Sequence, residues 1–158
     1  MGVLTAVWRT PERRFWLLAC LLALYLGLTK GDGGMLDLKV YRRGAEFVAA
    51  GDPLYDLRPG KLPFTYPPFA AIFMMPIAAV PWVWAVKIWT GVSVPGLAAV
   101  LRQSAPRAVA TRSILMPLAL LGCLALEPVR ATLRFGQINL ILAAMIMLDL
   151  VGRKHPGR

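Results

Sequence analysis

Four stretches of the chain, Phe15 to Thr29, Val83 to Leu101, Ser113 to Leu126 and Ile138 to Val151, are apolar and almost free of charge. Such runs suit the bilayer better than a small aqueous core, because a helix satisfies every backbone group within itself. The rest of the composition agrees: 58% of the 158 residues are apolar and 16% charged, and the mean hydropathy is +0.60. Glycine (14) and proline (13) are frequent, as membrane helices tolerate. The expected fold class is all-α, a polytopic membrane helical bundle.

Residues 1–14 form a short basic head with Arg9, Arg13 and Arg14. The first run is about 22 Å long at 1.5 Å per residue, so Arg14 and Lys30 must snorkel or the bilayer must thin. Leu17-Leu18-Ala19-Cys20 resembles a lipobox, and the run also has the look of a signal peptide. Against both, Cys20 lies near the start of the run and no small-residue cleavage site follows Leu28. Residues 30–62 are polar and hold five of the eight acidic residues. Within them Leu38, Tyr41, Ala45 and Val48 share one helical face, and Lys39, Arg42, Arg43 and Glu46 the other. This pattern predicts a helix on the membrane surface, ended by Gly51-Asp52-Pro53. Residues 64–80 are apolar but broken by Pro67, Pro68 and Pro76, and the tail 152–158 is basic.

Charge decides between two topologies. If 64–80 crosses the membrane, Lys and Arg divide six inside against twelve outside; if it is half-inserted or superficial, they divide nine against nine. The second agrees better with the positive-inside rule. It gives spans at 15–29, 83–101, 113–126 and 138–151, a cytoplasmic amino terminus and tail, and three elements converging outside. These are the surface helix, the Tyr66-Pro67-Pro68 segment and the loop 127–137.

The net charge of +10 comes without long basic runs, so anionic membrane lipid is the expected partner and nucleic acid is not. His155 is the single histidine, and Cys20 and Cys123 lie in apolar runs. A histidine-based metal site and a Ser-His-Asp triad are thereby disfavoured. No phosphate-cradling glycine loop, paired-cysteine motif or nucleophile elbow is present. Ionic chemistry falls to carboxylates and basic residues.

Asp37 stands where a helix start favours a carboxylate; it reads as a functional base or as a plain N-cap, with Asp32 as competitor. Glu127 precedes Arg130 and Arg134 at helical spacing, which suits an ion pair closing a helix end or a site for an anionic head group. Gln137 and Asn139 sit at the mouth of the last span, where amides bond neighbouring helices or the hydroxyls of a sugar. Tyr41, Tyr55, Phe64, Tyr66 and Trp82 read as an interfacial aromatic belt or as a stacking surface for a sugar.

Four motifs, taken in order and spacing, carry a resemblance. They are Leu36-Asp37-Leu38-Lys39-Val40-Tyr41, Gly51-Asp52-Pro53-Leu54-Tyr55, Pro63-Phe64-Thr65-Tyr66-Pro67-Pro68-Phe69-Ala70-Ala71, and Glu127-Pro128-Val129-Arg130-Ala131-Thr132-Leu133 running on through Gly136-Gln137-Ile138-Asn139-Leu140 to Leu148-Asp149-Leu150. Together they resemble the amino-terminal part of glycosyltransferase family 87, the polyprenyl-phosphate-mannose-dependent alpha-mannosyltransferases of actinobacteria. The resemblance implies a GT-C membrane fold over 15–151 and an active site on the outer face. It also implies a polyprenyl-phosphate sugar donor, a glycolipid or glycan acceptor, no cofactor and no obligatory metal.

The implied reaction inverts the anomeric carbon, and Asp37 matches the carboxylate that takes the acceptor proton. The leaving phosphate needs cations, for which Arg42, Arg43, Arg130 and Arg134 are candidates. Glu127, Gln137, Asn139 and Tyr66 are candidates for holding donor or acceptor. Family members carry many more spans, so the chain is expected to be a truncated frame, a half completed by a second chain, or a remnant. The alternative is a non-catalytic membrane protein that binds anionic lipid or a partner through Arg42 and Arg43. A transporter half is a third reading, carried only by Lys87.

Overall fold

The computed structural model describes residues 11–31, 33–56, 62–106, 109 and 114–152. Among them lie eight helices and no strand: α1 (Pro11–Thr29), α2 (Leu36–Ala50), α3 (Pro68–Phe73), α4 (Met75–Ala78), α5 (Trp82–Ser104), α6 (Leu115–Ala125), α7 (Glu127–Phe135) and α8 (Asn139–Gly152). The fold is an all-α helical bundle of membrane type.

Helix α5 is its axis. Its 23 residues span about 34 Å, enough for a hydrocarbon layer of about 30 Å. Among the described helices it alone is by itself long and apolar enough to cross. Helices α1 and α8 pack along it, and small residues set the spacing. Ala19, Ala23 and Gly27 recur every fourth residue on the buried side of α1, and a Cβ on Gly27 would lie 2.9 Å from the Lys87 carbonyl oxygen. On the α8 side, a Cβ on Gly96 would lie 3.1 Å from the Leu140 carbonyl oxygen. Between helices in lipid, where apolar burial gains little, such close backbone approach supplies the attraction. Phe15, Leu97, Met116 and Leu120 pack together where α6 joins.

Proline shapes the remaining elements. In a continuous helix the Pro128 ring would collide with the Leu124 carbonyl. Helix α6 therefore stops, Leu126 is extended at ψ 135°, and α7 departs at 66°. The segment read as a loop at 127–137 is thus mostly a nine-residue helix, because Pro128 is as good a first-turn residue as it is a breaker. The 11 residues of α6 reach about 16 Å, so only the bent pair of α6 with α7 has the length and apolarity of a span. Residues 64–80 form α3 and α4, with Pro68 and Pro76 in their first turns. Each is far shorter than a span.

Helix α2 is amphipathic as its pattern predicts, yet it is enclosed on two sides. Leu38, Tyr41 and Ala45 are buried with Met35, Met74, Trp89 and Ile138, while Val40 packs with Phe64 and Ala71. Arg42 and Arg43 are consequently half-buried, whereas Lys39 and Glu46 are exposed. Gly51 ends the helix at φ +74°. Its N–H donates to the Val48 carbonyl (3.2 Å) and that of Asp52 to Phe47 (2.9 Å), which satisfies two of the last carbonyls.

Candidate functional site

The start of α2 is tied to the junction between α7 and α8 by a backbone hydrogen bond. Gly34 and Met35 both take positive φ, +80° and +54°, and turn the chain so that the Met35 N–H donates to the Arg134 carbonyl at 3.0 Å. Gly136, at φ +70°, leaves room for this approach; a Cβ there would lie 2.8 Å from Met35 Sδ and 2.9 Å from Leu38 Cβ. Asp37 therefore rides on a first turn whose position is fixed from both sides. The N-cap is Met35, without a side-chain cap bond, so the plain N-cap reading of Asp37 does not hold. Its carboxylate is half-buried, without a hydrogen bond or ion pair among the described residues, and favourably placed at the positive end of the helix.

One turn on, Tyr41 is fully enclosed. Its oxygen lies 3.1 Å from that of Tyr66, and the two rings meet edge to face at 5.1 Å. Burial, and then the bond to Tyr66, hold the Tyr41 proton above the ordinary tyrosine range, with the Asp37 charge adding to the effect and the Ile138 backbone N–H opposing it. Tyr66 is anchored in turn: the Tyr55 hydroxyl donates to its carbonyl at 2.9 Å, and Phe64 packs edge-on at 5.7 Å. The rings of Tyr41 and Tyr66 also line an apolar cavity of about 250 Å³, together with Phe69, Phe73, Leu142 and Met145. A second, of about 450 Å³, lies on the other side of Met74 against Trp89, whose buried Nε1 has no partner among the described residues.

The amides join the same region. Gln137 Oε1 accepts from Asn139 Nδ2 at 3.1 Å and lies 3.3 Å from the Thr132 hydroxyl. Asp37, Tyr66, Gln137 and Asn139 thus gather around the junction of α2 with the start of α8. Arg42 and Arg43 do not. Arg42 is engaged with Glu46 Oε1 (3.0 Å) and the Val80 carbonyl (2.6 Å), and ties α2 to the end of α4. Arg43 lines a pocket with Asp56 and Phe64, away from the tyrosine pair. Arg134 lies over the Phe135 ring and 3.8 Å from Glu127, so Glu127 pairs with Arg134 rather than Arg130, which is exposed. Among the described residues no three His, Cys, Asp or Glu side chains group as a metal site requires. Asp32 lies outside the described residues.

Tyr41 was read as an apolar-face residue of the surface helix and as one aromatic of a belt or a sugar-stacking surface; the structure puts it at the centre of the candidate site. Its i+4 spacing from Asp37 was the available signal; the contact with Tyr66 is tertiary and leaves none.

Comparison with known proteins places these features. The profile of glycosyltransferase family 87 matches residues 64–158. A polyprenol-phosphate-mannose-dependent alpha-(1-2)-phosphatidylinositol pentamannoside mannosyltransferase of Mycolicibacterium smegmatis is 32% identical over 128 residues, covering 76% of this chain and 31% of that protein. A polyprenol-phosphate-mannose-dependent alpha-(1-2)-phosphatidylinositol mannoside mannosyltransferase of Mycobacterium tuberculosis is 30% identical over 196 aligned positions, covering 96% of this chain and 43% of that protein. The first stretch begins after α2, but the last alignment leaves too little of the chain uncovered to omit it. The chain spans 31% to 43% of the length of these relatives. No solved structure matches it.

Proposed function

We propose, starting from the fact that the chain belongs to glycosyltransferase family 87, that it supplies the amino-terminal part of a membrane mannosyltransferase. This part moves mannose from polyprenyl phosphate to a glycolipid or glycan acceptor with inversion. The donor and a glycolipid acceptor are supported by the relatives' names, which give polyprenol-phosphate-mannose and phosphatidylinositol mannosides. The observation that carries the reading is the bond from Met35 N–H to the Arg134 carbonyl. It brings the first turn of α2, with Asp37, to the α7–α8 junction that holds Gln137 and Asn139, and Tyr66 joins through Tyr41.

In the proposed step the acceptor hydroxyl gives its proton to Asp37 as its oxygen bonds to C1 of mannose. The bond from C1 to the phosphate oxygen breaks, and polyprenyl phosphate leaves. Gln137 and Asn139 suit sugar hydroxyls, since each amide both donates and accepts. Arg130 and Arg134 are the cations left near the junction for the phosphate. The amino terminus is placed in the cytoplasm and the site on the outer face, as the charge distribution favours.

A non-catalytic lipid-binding role through Arg42 and Arg43 has less behind it, because the Arg42 guanidinium is already committed to Glu46 and Val80. The test is Asp37→Asn in membranes of cells that make the protein. Transfer of labelled mannose from polyprenyl-phosphate-mannose is expected to fall by at least about a hundredfold, within the usual worth of a positioned base, at unchanged protein level. Transfer at the wild-type rate would remove Asp37 from the mechanism.

A further inference from the structure

Helix α7 closes on a threonine whose backbone and side chain both engage Gln137. Thr132 is 9% exposed, and its carbonyl takes the N–H groups of Gly136 and Gln137, the latter at 3.0 Å. The same turn brings the Gln137 side chain back to the Thr132 hydroxyl. That hydroxyl donates to the Pro128 carbonyl at 2.9 Å and lies 3.3 Å from Gln137 Oε1, to which Asn139 Nδ2 donates at 3.1 Å. The Thr132 proton is shared between two oxygens, a three-centre bond of the kind common at helix ends.

An amide oxygen offers two lone pairs, and on Gln137 both are occupied, one by Asn139 and one by Thr132. The accepting half of this amide is in use inside the protein. Its Nε2, with two protons, has no partner among the described residues, and the side chain is half-buried. If Gln137 alone turned over, its nitrogen would face that of Asn139 at 3.1 Å, donor against donor. The reverse sense requires both amides to turn together, and Gln137 would then offer a ligand an accepting oxygen instead.

We propose that Thr132 is a positioning residue, whose buried hydroxyl fixes the Gln137 amide so that only its Nε2 protons face the sugar. The inference rests on the transferase reading above and deepens it. Gln137 becomes a one-way donor, selecting a sugar oxygen that accepts, and of the two amides only Asn139 keeps an accepting oxygen for the ligand.

Initial rates of mannose transfer are measured in membranes holding the full chain, with polyprenyl-phosphate-mannose and a phosphatidylinositol mannoside varied in turn. Gln137→Glu is isosteric and still turns an oxygen towards Thr132 and Asn139, so it changes only the outward group, from donor to acceptor. It should raise KM for one of the two substrates at least about tenfold, as a lost bond with its partner left unpaired would. The substrate whose KM rises is the one that supplies the oxygen. Thr132→Val frees the amide to turn; with the competent sense held about a third of the time, the same KM should rise about threefold while kcat is kept. Thr132→Ser restores the hydroxyl and should return KM to the wild-type value. In a Gln137→Ala background Thr132→Val should add nothing, because Thr132 acts through Gln137.

Unchanged KM for both substrates in Gln137→Glu would show that the outward group accepts, and would overturn the inference while leaving the transferase reading intact. A loss from Thr132→Val that persists in full in the Gln137→Ala background would do the same. Absence of transfer by wild type would instead overturn the transferase reading and this inference with it. Gln137→Glu decides the matter even if Thr132→Val does not accumulate.

Discussion

Gly136→Ala tests whether the site is assembled by backbone geometry. The residue stands at φ +70°, where an L side chain costs roughly 1–2 kcal/mol. Its new methyl would also overlap Met35 Sδ at 2.8 Å and Leu38 Cβ at 2.9 Å. Neither neighbour can move aside cheaply: Met35 and Leu38 are both fully buried, and the Leu38 Cβ is fixed to the helix. Overpacking of this kind adds about 1–3 kcal/mol. Gly51→Ala is the matched control, for it has φ +74° and nothing within 4 Å of its missing Cβ, so it meets the conformational cost alone. Thermal unfolding in detergent should show Gly136→Ala melting lower than Gly51→Ala by roughly 5 °C, at about 2–4 °C per kcal/mol. Amide exchange at Met35, whose N–H is held by Arg134, should accelerate in Gly136→Ala and not in Gly51→Ala. Equal melting shifts with unaltered Met35 exchange would refute the claim that this glycine seats the first turn of α2.

Two further outcomes follow from the same geometry. Arg42→Met keeps the aliphatic stem but strands the Val80 carbonyl, and should lower stability by about 1–3 kcal/mol, whereas Glu46→Gln, at the exposed end of the same pair, should change it by under about 0.5 kcal/mol. Mannose transfer per folded molecule should survive Arg42→Met; a stable but inactive variant would return Arg42 to the phosphate. In a spectrophotometric titration Tyr41 should ionise last among the tyrosines, well above the ordinary value near 10, because burial holds its proton. The unfolded chain releases that proton more readily, so the contribution to stability is complete below about pH 10 and is lost as pH rises beyond it; ionisation of every tyrosine together near pH 10 in the folded protein would contradict this.

The apolar runs made the helical bundle legible, and the period of Leu38, Tyr41 and Ala45 made α2 legible, because both depend on residues close in sequence. Gly51 as the end of α2 was readable for the same reason. What escaped depends on residues far apart. Pro128 signals a break, but whether a loop or a helix follows is settled by the packing of α7 against α2. Arg42 lies on the polar face of α2 and reads as a free cation, yet its guanidinium is consumed 38 positions away at Val80. Asp37 and Gln137 were both candidates, and nothing local to either shows that the chain brings α2 and the α7–α8 junction together.

That meeting turns on Met35, a residue that local rules disfavour where it stands. Glycine would accept φ +54° freely, and relief of the left-handed strain is worth roughly 1–2 kcal/mol. The Met35 side chain, however, is fully buried among Leu38, Tyr41 and Ile138, and emptying a buried site of that size costs about 2–5 kcal/mol. Packing therefore outweighs the backbone preference. The sulfur against Gly136 holds the turn open in the direction that aims the N–H at Arg134. The register of Asp37 against Gln137 and Asn139 is thus set by an apolar side chain with no chemistry of its own. The glycine opposite it matters because a side chain there would push this methionine out of place.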